Sequence, residues 1–337
     1  MKILFIGTIF GNAHLQFNTL RRLYKKVDKI EPFKKFSKSK IFTQLFCHIS
    51  PKIFEYAINT YVLSQIKHDY DLIYVKSGEF IGEKLINILK KKSKKIVFFC
   101  NDNPFVKRDN QRWKLFLKAA KYYDLIVFQD QSRIKLSKKN NLNNTLLVLP
   151  PYDEVVHKKQ FINKTKKNYY ENDIIFVGTW SHKKGVFLKK LIDLGINTKI
   201  YGSRWHKDKN YQLLKNQIKL GHFKNQVYSK LIQRTKIALC LFADENLDTI
   251  TARSIEIPAI GTLMLSARTP AMKKVLIENK EAIYFNNAKE CAEKCKYYLN
   301  NHKKRKKIAQ MGNRKVTKIL KSSNTFLIKK IITKLFK

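Results

Sequence analysis

Short runs of consecutive apolar residues recur along this chain, each bounded by turn residues and separated by segments of helical length. They are Ile3–Ile6, Leu72–Val75, Ile96–Phe99, Leu125–Phe128 and Leu146–Leu149, then Ile174–Val177, Ile237–Leu241 and Ala282–Phe285. Two further strand candidates, Lys199–Tyr201 and Thr262–Leu265, each begin with one polar residue. Runs that do not alternate with polar residues are typical of strands buried on both faces, which occur in parallel sheets covered by helices. The chain is therefore predicted to be an α/β protein.

The 337 residues exceed the length at which one core usually divides. The strand pattern stops after Pro150-Pro151, in Lys- and Asn-rich sequence, and restarts near Asn172, which marks a linker. We expect a domain over residues 1–158, a second over 171–320 and a basic helix over 321–337 that packs back on the first. Two βαβ arrays predict two Rossmann-like, doubly wound domains facing a central cleft, with ligands at the carboxyl ends of the strands. Helices are expected over Lys184–Leu194, Gln226–Arg234, Ala288–Leu299 and Lys304–Ile319.

The chain carries 69 Lys+Arg against 25 Asp+Glu, a formal net charge of +44. Only 11 of the basic residues are Arg, and the Lys residues are spread over the whole length. Proteins that read nucleic acid cluster their charge and use Arg for bidentate contacts, so no specific nucleic acid is expected as a partner. A diffuse positive surface does attract anionic lipid headgroups and other polyanions.

No apolar run approaches the ~20 residues that span a bilayer. Five scattered cysteines give no disulfide framework and fit a reducing cytoplasm. The segment Ile41–Ile66 is unusually aromatic and aliphatic, and it follows Lys-rich sequence. Two interpretations stay open: an amphipathic surface that touches lipid or an acceptor, and a pair of helices facing the core. We expect a cytoplasmic protein, with peripheral contact to the inner face of the membrane as an added expectation.

The most informative stretch runs from Asp244 to Gly261. Asp248 or Thr249 is a suitable N-cap for a helix after a strand, and free amides at such a helix start suit a diphosphate. On that helix Thr249, Arg253 and Glu256 would share one face. We expect phosphates at the helix tip, the guanidinium one turn further and the carboxylate on the ribose hydroxyls. The alternative is an ordinary surface Arg–Glu pair.

This stretch resembles the C-terminal domain of CgeB-like, group-1-type glycosyltransferases of GT-B fold. The resemblance rests on Arg253-x-x-Glu256-Ile257-Pro258-Ala259-x-Gly261, with supporting segments at Asp173–Thr179, Ile200-Tyr201-Gly202, Val227-Tyr228 and Arg305–Gly312. It covers residues 173–315 well and is weak over the first half.

The resemblance implies two acidic donor-binding residues eight positions apart, which are Asp248 and Glu256 here, with Asp in place of the usual first Glu. It also implies a basic residue that holds the diphosphate after the Gly of the second domain's first strand. Lys183 and Lys184 are the candidates for that role, and the sequence does not choose between them. The resemblance also places three small residues on the donor side: Gly178, Thr179 and Gly202.

Two residues of the first half are candidates for chemistry on the acceptor. His14 ends the segment Ile6–His14, which is expected to form a loop after the first strand and lacks the full dinucleotide-binding fingerprint. Asp102, in Asn101-Asp102-Asn103-Pro104, follows another strand and is the preferred general base. No zinc spacing or Walker loop is present, so no cofactor and no metal are expected.

The sequence thus predicts a metal-independent glycosyltransferase that takes a nucleoside-diphosphate sugar and an acceptor that is a glycan, a lipid-linked molecule or a protein. The alternative is a catalytically inactive GT-B-like scaffold that binds polyanions or a membrane surface. A nucleic-acid-binding protein is a third interpretation, which requires selective binding and not merely salt-sensitive binding.

Overall fold

The computed structural model describes residues 1–8, 11–32, 40–159, 170–223 and 225–337. It divides into two compact units. The first contains Met1–Leu149, Asp244–Asp248 and Asn324–Lys337, and the second contains Pro150–Ala243 and Thr249–Ser323. Residues 160–169 of the predicted linker lie outside the described residues.

The first unit is built on a six-stranded parallel sheet. Its strands are β1 (Lys2–Ile6), β2 (Lys26–Ile30), β3 (Tyr70–Val75), β4 (Ser93–Phe99), β5 (Leu125–Phe128) and β6 (Thr145–Leu147), in the order β2-β1-β3-β4-β5-β6. The helices are α1 (Gly11–Leu23), α2 (Lys40–Gln44), α3 (Glu55–Ser64), α4 (Glu83–Lys91), α5 (Lys114–Ala119) and α6 (Gln131–Lys139). A π-helical turn, Leu45–Ile49, and a 3₁₀ turn, Pro51–Phe54, join α2 to α3.

Both faces of this sheet are buried, as strand β3 shows. Leu72 and Tyr74 join one apolar cluster, whereas Ile73 and Val75 join another on the opposite face. Successive side chains of a strand point to opposite faces, so a strand covered on both sides must be apolar at every position. This geometry produces the continuous apolar runs of the sequence.

The second unit repeats the plan. Its parallel sheet has strands β7 (Asn172–Val177), β8 (Thr198–Gly202), β9 (Ile218–Leu220), β10 (Thr235–Cys240), β11 (Leu263–Ala267) and β12 (Ile283–Phe285), in the order β12-β11-β10-β7-β8-β9. Its helices are α7 (His182–Asp193), α8 (Tyr211–Leu214), α9 (Asn225–Gln233), α10 (Ala252–Ile260), α11 (Pro270–Val275), α12 (Ala288–Asn300) and α13 (His302–Arg314), followed by a π-helical turn, Lys315–Ile319.

The last helix, α14 (Asn324–Phe336), belongs to the first unit and packs against α1. Leu327, Ile328 and Ile331 are buried in the cluster that also holds Phe17 of α1. Among the described residues, no helix combines the length and the apolar character that crossing a bilayer requires.

The prediction of two doubly wound α/β units is confirmed, and every predicted strand overlaps an observed one. Two strands were missed, β2 and β9. Each lies at the outer edge of its sheet, where one side has no neighbouring strand. Both β2 and β9 are only partly buried and carry Lys, so they lack the apolar run from which the other two edge strands, β6 and β12, were predicted.

Candidate functional site

Helix α10 begins later than its sequence suggests. Its N-cap is Thr251, and a capping box joins the ends of the first turn: the Thr251 amide donates to the Ser254 hydroxyl at 3.2 Å. The prediction of Asp248 or Thr249 as N-cap is therefore wrong. Thr249 lies before the helix, where its carbonyl oxygen accepts from the Thr269 hydroxyl at 2.7 Å, so it does not share a helix face with Arg253.

Arg253 and Glu256 do share a face of α10, one turn apart. An Arg253 Nη1 donates to Glu256 Oε2, and the guanidinium carbon lies 3.8 Å from the centre of the Tyr228 ring. Glu256 is fully buried, whereas 32% of the Arg253 side chain is exposed. Tyr228, on α9, is buried, and burial raises the pKa of its hydroxyl. A fixed guanidinium thus has one face on an aromatic ring and part of its surface open to a ligand.

The second oxygen of Glu256 has no hydrogen-bond partner among the residues that the structure describes. Its neighbour at 4.0 Å is Nδ1 of His157, but that nitrogen already accepts from the Asp153 amide at 3.1 Å. Burial also lowers the pKa of His157, which favours the neutral ring. Nδ1 therefore cannot donate to Glu256, and a buried carboxylate oxygen remains available to a donor from outside.

The turns after β7 and β8 meet closely. A Cβ on Gly202 would lie 1.9 Å from the Gly178 carbonyl oxygen, so only glycine allows this contact. That carbonyl accepts from Trp205 Nε1 at 2.9 Å, and the Thr179 hydroxyl lies 3.2 Å from that of Ser203. Since β7, β8 and β10 are parallel, these turns lie at the same sheet edge as the loop leading to α10.

Lys183 and Lys184 occupy the first turn of α7, whose N-cap is Ser181. Cations are disfavoured by the dipole at the start of a helix, so their position suits a bound anion. Lys183 is exposed and Lys184 half-buried. The structure, like the sequence, leaves the choice between them open.

Asp248 belongs to the first unit, and its carboxylate accepts hydrogen bonds from side chains of that unit. Arg133 Nη2 and Asn246 Nδ2 each donate to its Oδ1 at 2.6 Å. Burial raises the pKa of Asp248 to about 6, although the Arg133 guanidinium opposes this shift. Asn246 is held in turn by Asn103, whose amide donates to the Asn246 side-chain oxygen at 3.0 Å. Asp248 is thus part of a buried polar network.

The sequence predicts His14 in a loop, but the structure places it in a helix. It is in the first half of α1, where its Nε2 is 3.1 Å from Asn18 Nδ2 and its buried Nδ1 has no partner among the described residues. The helix begins at Gly11, which has a positive φ of 55°. Residues 9 and 10 of the predicted loop lie outside the described residues.

Asp102 borders a polar cavity of about 190 Å³ at the carboxyl ends of β3 and β4. Arg108 approaches its carboxylate at 3.0 Å and Arg112 at 3.9 Å. Lys76 also lines the cavity and donates to Asn101 Oδ1 at 3.0 Å. Burial lowers the pKa of Lys76 to about 7. The cavity can accept a polyhydroxylated ligand, since donors and acceptors both line it.

Sequence reasoning missed two members of the Glu256 site. The sequence marks Tyr228 only as part of a motif and does not predict its contact with Arg253. That contact depends on the packing of α9 against α10. His157 lies in the predicted linker, where no local pattern marks it. The described residues contain no group of three or more His, Cys, Asp or Glu side chains placed to hold a metal ion.

Residues 183–324 match the family model described as glycosyl transferase-like. A search of curated proteins gives no match.

Several solved structures share the fold over the whole chain. Anabaena HepE in complex with UDP-glucose is 14% identical, with a TM-score of 0.70 and 99% of each chain covered. Sucrose-phosphate synthase from Thermosynechococcus elongatus is 10% identical, with a TM-score of 0.73, 100% of this chain and 99% of that chain covered. The UDP-forming trehalose-phosphate synthase from Burkholderia xenovorans is also 10% identical, with a TM-score of 0.65 and full coverage of both chains.

These likenesses confirm the predicted GT-B fold, with its two Rossmann-like units. The family match confirms the predicted class of enzyme, a glycosyltransferase. The narrower resemblance to CgeB-like proteins stays a prediction.

Proposed function

We propose that this chain transfers a sugar from a nucleoside-diphosphate sugar, bound by its second unit, to an acceptor bound by its first. The observation that carries the proposal is the buried Glu256 carboxylate, which has one oxygen on Arg253 and the other without a donor among the described residues. A ribose supplies the missing donors, because its hydroxyls can donate to a carboxylate oxygen. Within the class, the motif over residues 253–261 supports the CgeB-like group.

In this proposal Arg253 binds the diphosphate. It offers five N–H groups in a planar fork, and its contact with Tyr228 fixes the plane of that fork. The amides of the first turn of α10 and one of Lys183 and Lys184 add positive potential where the leaving diphosphate develops charge. Protein cations then neutralise the leaving group, and the reaction requires no metal ion.

UDP is the nucleotide with the most support, since the HepE structures contain UDP and UDP-glucose. Gly178, Thr179 and Gly202 would line the donor side, where Gly202 keeps the two turns close together. Asp248 is retained as a donor-side residue through its fixed place in the loop before α10.

The cavity beside Asp102 is the proposed entrance of the acceptor. Asp102 is the first candidate for the group that removes the acceptor proton, and His14 is the second. The acceptor is a glycan, a lipid-linked molecule or a protein. We place the enzyme in the cytoplasm, in peripheral contact with the anionic inner face of a membrane.

Thermal unfolding in the presence of UDP, GDP, TDP and their sugars tests the proposal. A ligand at 100 times its dissociation constant stabilises the folded state by about 2.7 kcal/mol, which raises the melting temperature by several degrees. We expect one nucleotide series to produce this shift and EDTA to leave sugar transfer unchanged. If no nucleotide or nucleotide sugar shifts the transition, the proposal is wrong. Donor binding without transfer or hydrolysis would favour the inactive scaffold.

A further inference from the structure

The described segment 41–66, between β2 and β3, has apolar side chains both against the core and in contact with water. Its inner face packs on the core of the first unit: Phe42 contacts Phe54 at 4.5 Å between ring centres, and Phe46 contacts Phe80 at 4.9 Å. Phe42 and Phe46 are buried, and so is Ile58 of α3. This packing accounts for the aromatic residues of the segment but not for its remaining apolar residues.

The outer face carries large apolar side chains that contact water. Ile41 is 69% exposed, Ile49 59%, Ile53 58% and Tyr56 84%. An exposed apolar side chain is common on its own, but four in sixteen positions are more than packing within the described residues explains. Leu117 of α5, which contacts the 3₁₀ turn Pro51–Phe54, adds a fifth at 43%.

Three lysines lie on the 3₁₀ turn and on α5, which packs against that turn. Lys52 is on the 3₁₀ turn, and Lys114 and Lys118 are on α5. The nearby ammonium of Lys118 lowers the pKa of Lys52, which shows that the two positive charges lie close together. Glu55 offsets only part of this charge. Ile41, Ile49, Ile53, Tyr56 and Leu117, with Lys52, Lys114 and Lys118, are called the α2–α5 surface below.

We propose that the α2–α5 surface docks the protein on an anionic lipid bilayer, with the apolar side chains inserted among the headgroups and the lysines on lipid phosphates. Helices with apolar residues on one side and lysines beside them bind membranes in this way. A bilayer is favoured over an acidic protein because the exposed apolar side chains stand on four successive short elements, whereas a protein partner of one helix groove would need them on one helix. The inference rests on the proposed peripheral location but not on the donor chemistry.

Sedimentation of the full chain with vesicles tests this inference. Vesicles of phosphatidylcholine alone are compared with vesicles that also contain phosphatidylglycerol. We expect binding to the anionic vesicles, and each removed lysine should weaken it about fivefold. The combined variant Lys52→Gln, Lys114→Gln and Lys118→Gln measures this charge contribution.

A second variant separates insertion from general charge. Ile49→Asn with Ile53→Asn keeps the net charge of the chain and should lower vesicle binding on the order of tenfold. Its matched control is Leu213→Asn with Val227→Asn, since these residues of the second unit are 74% and 58% exposed. The control should bind as the unaltered chain does.

Three results would overturn the inference: no binding to anionic vesicles, unchanged binding of the Ile49/Ile53 variant, or equal loss in the control. All four residues are exposed, so the fold should be kept, and the melting temperature of each variant checks this. Nucleotide-induced thermal shifts are measured in parallel. If vesicles bind but no nucleotide does, the donor proposal fails while the membrane inference holds.

Discussion

Replacing Glu256 tests the centre of the proposed donor site. In Glu256→Ala the ribose loses a charge-assisted hydrogen bond, which contributes about 1.5–3 kcal/mol. Each 1.4 kcal/mol corresponds to a tenfold change in affinity, so UDP should bind roughly 10- to 150-fold more weakly. In Glu256→Gln the side chain keeps its shape and one acceptor oxygen but loses its charge, and we expect a loss of about tenfold.

The stability of the free protein should respond differently from its affinity. The unaltered chain buries a carboxylate oxygen that has no partner among the described residues, and the amide of Glu256→Gln relieves the cost of burying that charge. Arg253 loses its counterion but stays partly hydrated, with 32% of its side chain exposed. The melting temperature of the nucleotide-free Gln variant should therefore remain close to that of the unaltered chain.

Isothermal titration calorimetry with UDP measures these affinities. Glu281→Gln is the matched control, because Glu281 is a buried carboxylate of the same unit whose Oε2 accepts from the Ile277 amide at 2.8 Å. The control should bind UDP as the unaltered chain does. A folded Glu256→Ala variant with undiminished UDP affinity would refute the role of Glu256, whatever other residues bind the nucleotide.

Three further predictions concern the polar network, a helix end and the glycine contact. The folded-state pKa of Asp248, about 6, lies above its usual 3.8, so its stabilising effect is full below pH 4 and is lost as pH rises through 6. Relative to Asp248→Asn, the unaltered chain should lose up to about 3 kcal/mol of unfolding free energy between pH 4 and pH 7. Urea titration at each pH measures this difference, and a difference that does not change with pH would contradict the prediction. Arg305→Met should cost about 2 kcal/mol of stability, because Arg305 Nη1 donates to two carbonyl oxygens at the end of α12, and an unchanged urea midpoint would be evidence against that role. Gly202→Ala should lower both the melting temperature and UDP affinity, since its Cβ would overlap the Gly178 carbonyl oxygen, whereas a variant that behaves normally in both assays would show that the turns can separate.

The buried strands could be predicted from sequence because their constraint is local. A strand that is covered on both faces, such as β3, needs an apolar residue at every position. The sequence shows this requirement as a run of consecutive apolar residues. Strands β2 and β9 are not buried on both faces and need no apolar run, so only the pairing of their backbones identifies them.

The pairing of Arg253 with Glu256 was also a local prediction, since residues three apart on a helix are neighbours. The exact residue at which that helix begins could not be predicted from local sequence. Asp248, Thr249 and Thr251 are all suitable N-caps, and Ser254, three residues after Thr251, completes the capping box. Thr249 is used differently, as the acceptor for the Thr269 hydroxyl twenty residues away.

The sequence by itself therefore determined the α/β class, the two repeated arrays and the helix that carries Arg253 and Glu256. Tertiary structure decided which side chains complete that site: Tyr228 under the guanidinium and His157 beside the carboxylate. These contacts join residues that are far apart in the chain, so their energies depend on packing and not on local pattern. Burial of Glu256 with an unpartnered oxygen is such a property, because it depends on every element that surrounds the side chain.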